Sequence, residues 1–107
     1  MTVLQNFTFF KEATAAGDSP VLKNIHGEAL TLVVSGTFVG TLVVNGTQGD
    51  VESTLTVVNL ADLTTATSII AAGTYEVVCP HGFEDISMSI SEYTSGSITA
   101  TGRLCAE

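Results

Sequence analysis

The feature that most restricts what this chain can fold into is a period of two. In Ile86-Ser87-Met88-Ser89-Ile90-Ser91 three apolar side chains alternate with three serines. An extended strand puts such residues on opposite faces, so this run makes one greasy face and one wet face. The stretch from Ser97 repeats the pattern, with Ile98, Ala100 and Leu104 directed inward and Thr99, Thr101 and Arg103 outward. Between the two runs lies Glu92-Tyr93-Thr94-Ser95-Gly96, which has the composition of a turn with a glycine available for positive φ. Residues 85–105 are therefore predicted to form a β-hairpin. Helical spacing of apolar residues is hard to find anywhere in the chain.

The same reading extends along the sequence. Leu30 to Val34 and Thr37 to Val44 are predicted to pair across Ser35-Gly36, with a tip loop over residues 45–50. Val51 to Asn59 follows as a strand with Leu55 and Val57 in the core and Thr54 and Thr56 outward. Within Leu60 to Ala72, the run Ala61 to Thr67 can form a short helical turn, although its threonine content weakens that reading. Thr74 to Cys79 is another strand, opened by Gly73 and closed by Pro80-His81-Gly82. Near the N-terminus, residues 6–11 alternate over Phe7 and Phe9, residues 13–20 form a small-residue loop or arm, and Val21 to Ile25 a short segment. The total is seven or eight strands. A sheet with one apolar face must bury it, and no amphipathic helix is available, so an antiparallel two-sheet β-sandwich, jelly-roll-like, is the economical architecture. At 107 residues the chain is expected to form one domain, with residues 1–20 as an N-terminal strand plus arm.

Charge narrows the function classes. Lys11, Lys23 and Arg103 face eleven acidic residues, for a formal net charge of −8. Nucleic-acid binding depends on cationic neutralisation of phosphate, and docking on anionic lipid needs the same sign, so neither partner is expected. The N-terminus shows no basic start followed by a long apolar run, and no apolar stretch approaches the length of a membrane span. Synthesis and folding in the cytoplasm of the producing cell are the expectation.

Catalytic and metal chemistry find little support. His26 and His81 each sit in a turn-like context without a nucleophile and orienting acid beside them. Glu84 and Asp85 are adjacent and would point to opposite faces of a strand. Asp50 and Glu52 can share a face in the tip loop with Asn45, but calcium loops carry denser oxygen ligands. The Asn-x-Thr matches at Asn6 and Asn45 are expected by chance in so threonine-rich a chain. Cys79 and Cys105 match no zinc spacing and are expected to be buried free thiols, with a single bridge between them as the alternative. The expectation is no enzyme activity, no cofactor and no metal. Trp is absent, and Tyr93 is expected to pack its ring across the mouth of the last hairpin.

The segment Glu92 to Arg103 closely resembles the C-terminal hairpin of small β-sandwich proteins found in tailed-phage virions. Ser35 to Leu42 resembles their central hairpin, Ala72 to Val77 the strand before the final pair, and Ala13 to Pro20 the loop after the first strand. The resemblance implies a virion component: a head decoration (cement) protein, or a tail, baseplate or head-fibre accessory. A decoration protein, a homotrimer bound to the major capsid protein or another virion protein, is the leading expectation. A host-surface, carbohydrate-binding accessory is the alternative, and the missing Trp counts against it. Phe7, Phe9 and Phe10 are the candidate partner-binding residues. Alternation buries Phe7 and Phe9 and leaves Phe10 opposite, where an N-terminal strand can add to a neighbour's sheet edge. The competing arrangement packs all three rings in the domain's own core.

Overall fold

The computed structural model describes residues 2–23 and 29–106. Its strands are β1 (Thr2–Ala13), β2 (Gly17–Asp18), β3 (Leu22–Lys23), β4 (Ala29–Ser35), β5 (Phe38–Gln48), β6 (Val51–Thr54), β7 (Val57–Asn59), β8 (Thr65–Ala66), β9 (Gly73–Val77), β10 (Asp85–Gly96) and β11 (Ile98–Ala106). β2, β3 and β8 are two-residue pairings, so eight longer strands remain, in line with the count expected. The fold is all-β, and the sole helical element among the described residues is a single 3-10 turn at Pro80–Gly82.

Two antiparallel sheets pack face to face. One has the order β1-β11-β4-β9-β7-β8, the other β2-β10-β5-β6 with β3 also paired to β10. The period-two segments supply both inner faces. Ile86, Met88 and Ile90 of β10 are buried, as are Leu42 and Val44 of β5. Opposite them lie Leu30, Leu32 and Val34 of β4 and Ile98, Ala100 and Leu104 of β11. Each of these strands alternates because one face is removed from water and the other is not.

Neither predicted hairpin exists. β10 pairs with β5, while β11 pairs with β1 and β4, so the two segments joined at Ser97 lie in opposite sheets. Likewise β4 and β5, joined at Gly36-Thr37, face each other across the core. Alternation specifies that one face of each strand is buried, and two strands facing across a core satisfy that as well as two strands side by side. The two crossings run alongside one another: the Ser97 amide donates to the Thr37 carbonyl at 3.1 Å. Gly36 (φ +106) and Gly96 (φ +92) hold these corners, and a Cβ at either would collide with the carbonyl oxygen of Ser97 or Thr37, respectively.

Other boundaries also differ. β10 runs through residues 92–96, where a turn was expected, by absorbing register shifts between Ile90 and Glu92 and between Tyr93 and Ser95. β5 continues to Gln48, so the tip shrinks to Gly49-Asp50, with Gly49 at φ +61. The expected strand over residues 51–59 splits: β6 pairs with β5 and β7 with β9. Leu55 and Thr56 carry the chain from one sheet to the other, with Leu55 buried as expected. The stretch from Leu60 to Ala72 contains no helix; it has a single turn at residues 60–62, closed by the Leu63 amide donating to the Asn59 carbonyl at 2.7 Å, then β8 and a bridge between Ile69 and Leu42.

At the N-terminus, β1 pairs with β11 from Thr2–Ala106 to Ala13–Ile98 and forms the edge of the six-stranded sheet. Residues 14–16 then cross to the other sheet, where Gly17 and Asp18 pair with β10. Ser19 secures the crossing. Its amide donates to the Met88 carbonyl (2.8 Å), and its hydroxyl accepts from the Met88 amide (2.9 Å) and donates to the Pro20 carbonyl (2.8 Å).

Candidate binding surfaces

The three phenylalanines singled out from the sequence lie on β1. Phe9 is 2% exposed, and Phe7 and Phe10 are half-buried against the same core. The rings of Phe7 and Phe9 meet edge to face, 5.0 Å between centroids. Strict alternation would have turned Phe10 away from Phe9. An irregularity in the pairing between Thr8–Thr101 and Phe10–Ala100 inserts Phe9 as an extra residue and brings Phe10 back to the core side. All three side chains therefore pack within this chain.

The outer face of the smaller sheet carries a chain of hydrogen bonds across its strands. The Asn45 amide donates to the Ser89 hydroxyl (3.1 Å), which donates to an Asp18 carboxylate oxygen (2.7 Å). Thr54 donates weakly to the Asn45 side-chain oxygen (3.5 Å). Nearby, Lys23 and Asp85 form an ion pair at 2.8 Å, 65% and 32% exposed, which at such exposure contributes little to stability. Asn45 is thus directed at β10 and β6, while Asp50 and Glu52 are exposed at and beyond the tip of the β5–β6 hairpin. Among the described residues, no group of three or more His, Cys, Asp or Glu is placed to hold a metal ion.

His26 lies outside the described residues. His81 belongs to the 3-10 turn at Pro80–Gly82. Glu84 is exposed and precedes Asp85 at the start of β10. Cys105 is buried and free, as expected, whereas Cys79 is free but exposed. Cys79 stands in the left-handed region (φ 54, ψ 47) at the entry to that turn, so its side chain leaves the alternation of β9. Tyr93 is half-buried on β10, and its hydroxyl donates to the Gly96 carbonyl at 2.6 Å. Its ring packs against the core cluster rather than across a hairpin mouth, because no hairpin exists there.

A surface that the alternation did not announce lies at the other edge of the larger sheet. The β7–β8 hairpin and residues 68–71 enclose an open recess of about 180 Å³, with Val57, Ala66, Ile70, Ala71 and Tyr75 among its walls. The Tyr75 hydroxyl donates to the Ala71 carbonyl at 2.7 Å. Burial, with a contribution from the Asp62 charge, raises the Tyr75 pKa above the ordinary tyrosine value. Asp62 accepts from the hydroxyl (2.7 Å) and the amide (3.1 Å) of Thr64, and these bonds hold its carboxyl below the ordinary carboxylate value. Residues 60–72 contain one charge, Asp62, which was the available sequence signal for this surface.

Neither a protein-family model nor a curated protein matches the sequence. Two solved structures share the fold. The SPBc2 prophage-derived protein YomS superposes with a TM-score of 0.84 at 18% identity, over 95% of this chain and 92% of that one. The PBSX exported protein XepA superposes with a TM-score of 0.84 at 24% identity, over 94% of this chain but 37% of XepA. At such identities the likeness establishes the architecture, a sandwich that recurs in prophage-derived proteins.

Proposed function

We propose that this chain is a phage-encoded, non-enzymatic structural protein that acts by binding another protein surface, as a decoration protein on a phage head. The carrying observation is the fold shared with YomS over nearly the whole of both chains. The sequence resemblance to virion β-sandwiches points the same way. In this reading, homotrimers sit on the major capsid protein, and many copies each bridge neighbouring capsid subunits. Stabilisation is additive: each copy buries a modest interface, and repetition over the shell resists the pressure of packaged DNA. The low density of charge, 13% of residues, suits a protein largely covered by neighbours.

One observation favours a second reading, that of a tail, baseplate or head-fibre accessory that recognises the host surface. The same fold occupies about a third of XepA, an exported protein, so the sandwich also serves as one part of a longer chain. Quantitative mass spectrometry of purified particles of the encoding phage separates the two. Hundreds of copies per particle are expected for decoration. A few to a few dozen would replace it with the accessory role, and none would overturn both.

A further inference from the structure

We propose that the edge built by residues 60–72 is a docking surface for a protein partner that presents an apolar side chain ringed by lysines and arginines. This inference is independent of where on a phage the protein acts. Of the eight large hydrophobic residues exposed among the described residues, three lie in these thirteen positions: Leu60 (41%), Leu63 (72%) and Ile70 (69%). Four alanines of the same segment are exposed as well. Scattered surface hydrophobics need no explanation, but a concentration of them beside a recess does. The recess, about 180 Å³, is smaller than the usual pocket for a drug-sized ligand and is suited to one side chain.

Charge selects the occupant. Asp62 lies in the segment, close enough to act on Tyr75, whereas Glu76 points to the face of β9 opposite Tyr75 and so away from the recess. All three cations stand elsewhere: Lys11 on β1 at the opposite edge of the sheet, Lys23 bonded to Asp85 on the other sheet, and Arg103 on β11 beside Asn6. The apolar recess therefore has one carboxylate beside it, Asp62, and no cation of its own segment to answer it. A second copy of a chain with net charge −8 would bring like charge to this edge, and an anionic lipid surface would do the same. A basic protein rim fits.

The surface is also held in shape before any partner arrives. The Asn59 amide donates to the Thr64 carbonyl and the Leu63 amide to the Asn59 carbonyl. The Asn59 side chain receives the Ala61 amide, and Asp62 receives Thr64. A loop ordered in advance loses less freedom on binding.

The test uses the full chain labelled with ¹⁵N and two synthetic peptides, one a leucine flanked by lysines and arginines, the other the same leucine flanked by glutamates. The basic peptide is expected to shift the amide signals of Thr64, Ser68, Ile70 and Ala71 and to bind about tenfold or more tightly than the acidic one, with the preference shrinking as salt rises. Ile70→Asp and Leu63→Ser are expected to abolish these shifts, while Val39→Asp, also exposed at 58%, leaves them intact. Far-UV circular dichroism checks that each variant is folded, and Leu63→Ser carries the reading if Ile70→Asp is not. Equal affinity for both peptides, shifts confined to other strands, or no shift at millimolar peptide would overturn the proposal. A dimer lost in Ile70→Asp would replace the partner with a second copy, and sedimentation with phosphatidylcholine vesicles lost in Leu63→Ser would replace it with lipid.

Discussion

The ring of Phe9 fills the space that a side chain at Gly102 would need: a Cβ there would lie 2.6 Å from Phe9 Cε2 and 3.2 Å from a methyl of Leu30. Gly102 belongs to β11 and is buried, and its neighbour across the strands, Phe7, meets Phe9 edge to face. A glycine inside a strand ordinarily weakens it, and replacement by alanine would ordinarily help by about 0.5–1 kcal/mol. Here the sign reverses, because the added methyl displaces a packed aromatic. Gly102→Ala is expected to destabilise the protein by about 1–3 kcal/mol, the usual cost of overpacking. Phe9→Ala, which empties the same space, is expected to cost about 3–5 kcal/mol. Urea unfolding monitored by circular dichroism measures both.

A sheet-crossing corner and a hairpin tip make a sharper comparison. Gly96 and Gly49 both have positive φ, but a Cβ at Gly96 collides with the Thr37 carbonyl whereas one at Gly49 meets nothing within 4 Å. Gly49→Ala therefore incurs only the left-handed backbone cost, about 1–2 kcal/mol. Gly96→Ala adds a clash with main chain that cannot rotate away, and its loss is expected to exceed that of Gly49→Ala by at least about 1 kcal/mol. Thermal and urea midpoints of the two variants decide it; equal midpoints would show that the crossing relaxes freely.

The sheet-crossing corners also explain what could and could not be read from the sequence. The buried faces were legible, since Ile86, Met88 and Ile90 and then Ile98, Ala100 and Leu104 follow the period that the sheets impose. The partners of those strands were not. Ser35-Gly36 and Gly96 offer positive φ at the end of a strand, which serves a hairpin and a crossing between sheets alike. Only the distant juxtaposition of Thr37 with Ser97 distinguishes them. Phe10 stayed open between two arrangements for a related reason, because the one extra residue in β1 that reverses the alternation and turns it to the core leaves no local mark. The recess beside Tyr75 depends on threonines and alanines without a period, so the lack of charge in residues 60–72 was its single visible sign.

The two thiols are expected to behave differently. Cys79 is exposed and Cys105 is 4% exposed, and neither is paired. A thiol reagent such as dithionitrobenzoate needs access to sulfur, so the native protein is expected to release one equivalent of chromophore quickly. The second should follow at the rate of global or local opening, and both should react at once in denaturant. Cys79→Ser is expected to remove the fast phase alone. Rapid reaction of both thiols in the native protein would contradict the burial of Cys105 in β11.

Alkaline pH offers a test of the Tyr75 environment. Burial first, and the Asp62 charge second, raise its pKa above the ordinary value of about 10. Between the unfolded and folded values the native state keeps a proton that the unfolded state has released. Stability then falls as pH rises. The contribution is complete below the unfolded value and is lost as pH climbs through the folded one. In a Tyr93→Phe background, where Tyr75 is the sole remaining tyrosine, tyrosinate absorbance is expected to appear above pH 10 and to move lower in Asp62→Asn. Tyr75→Phe removes the hydrogen bond to Ala71, an expected loss of about 1 kcal/mol near neutral pH, and should also flatten the alkaline decline in the urea midpoint. If that decline is unchanged in Tyr75→Phe, the coupling of this tyrosine to folding is absent.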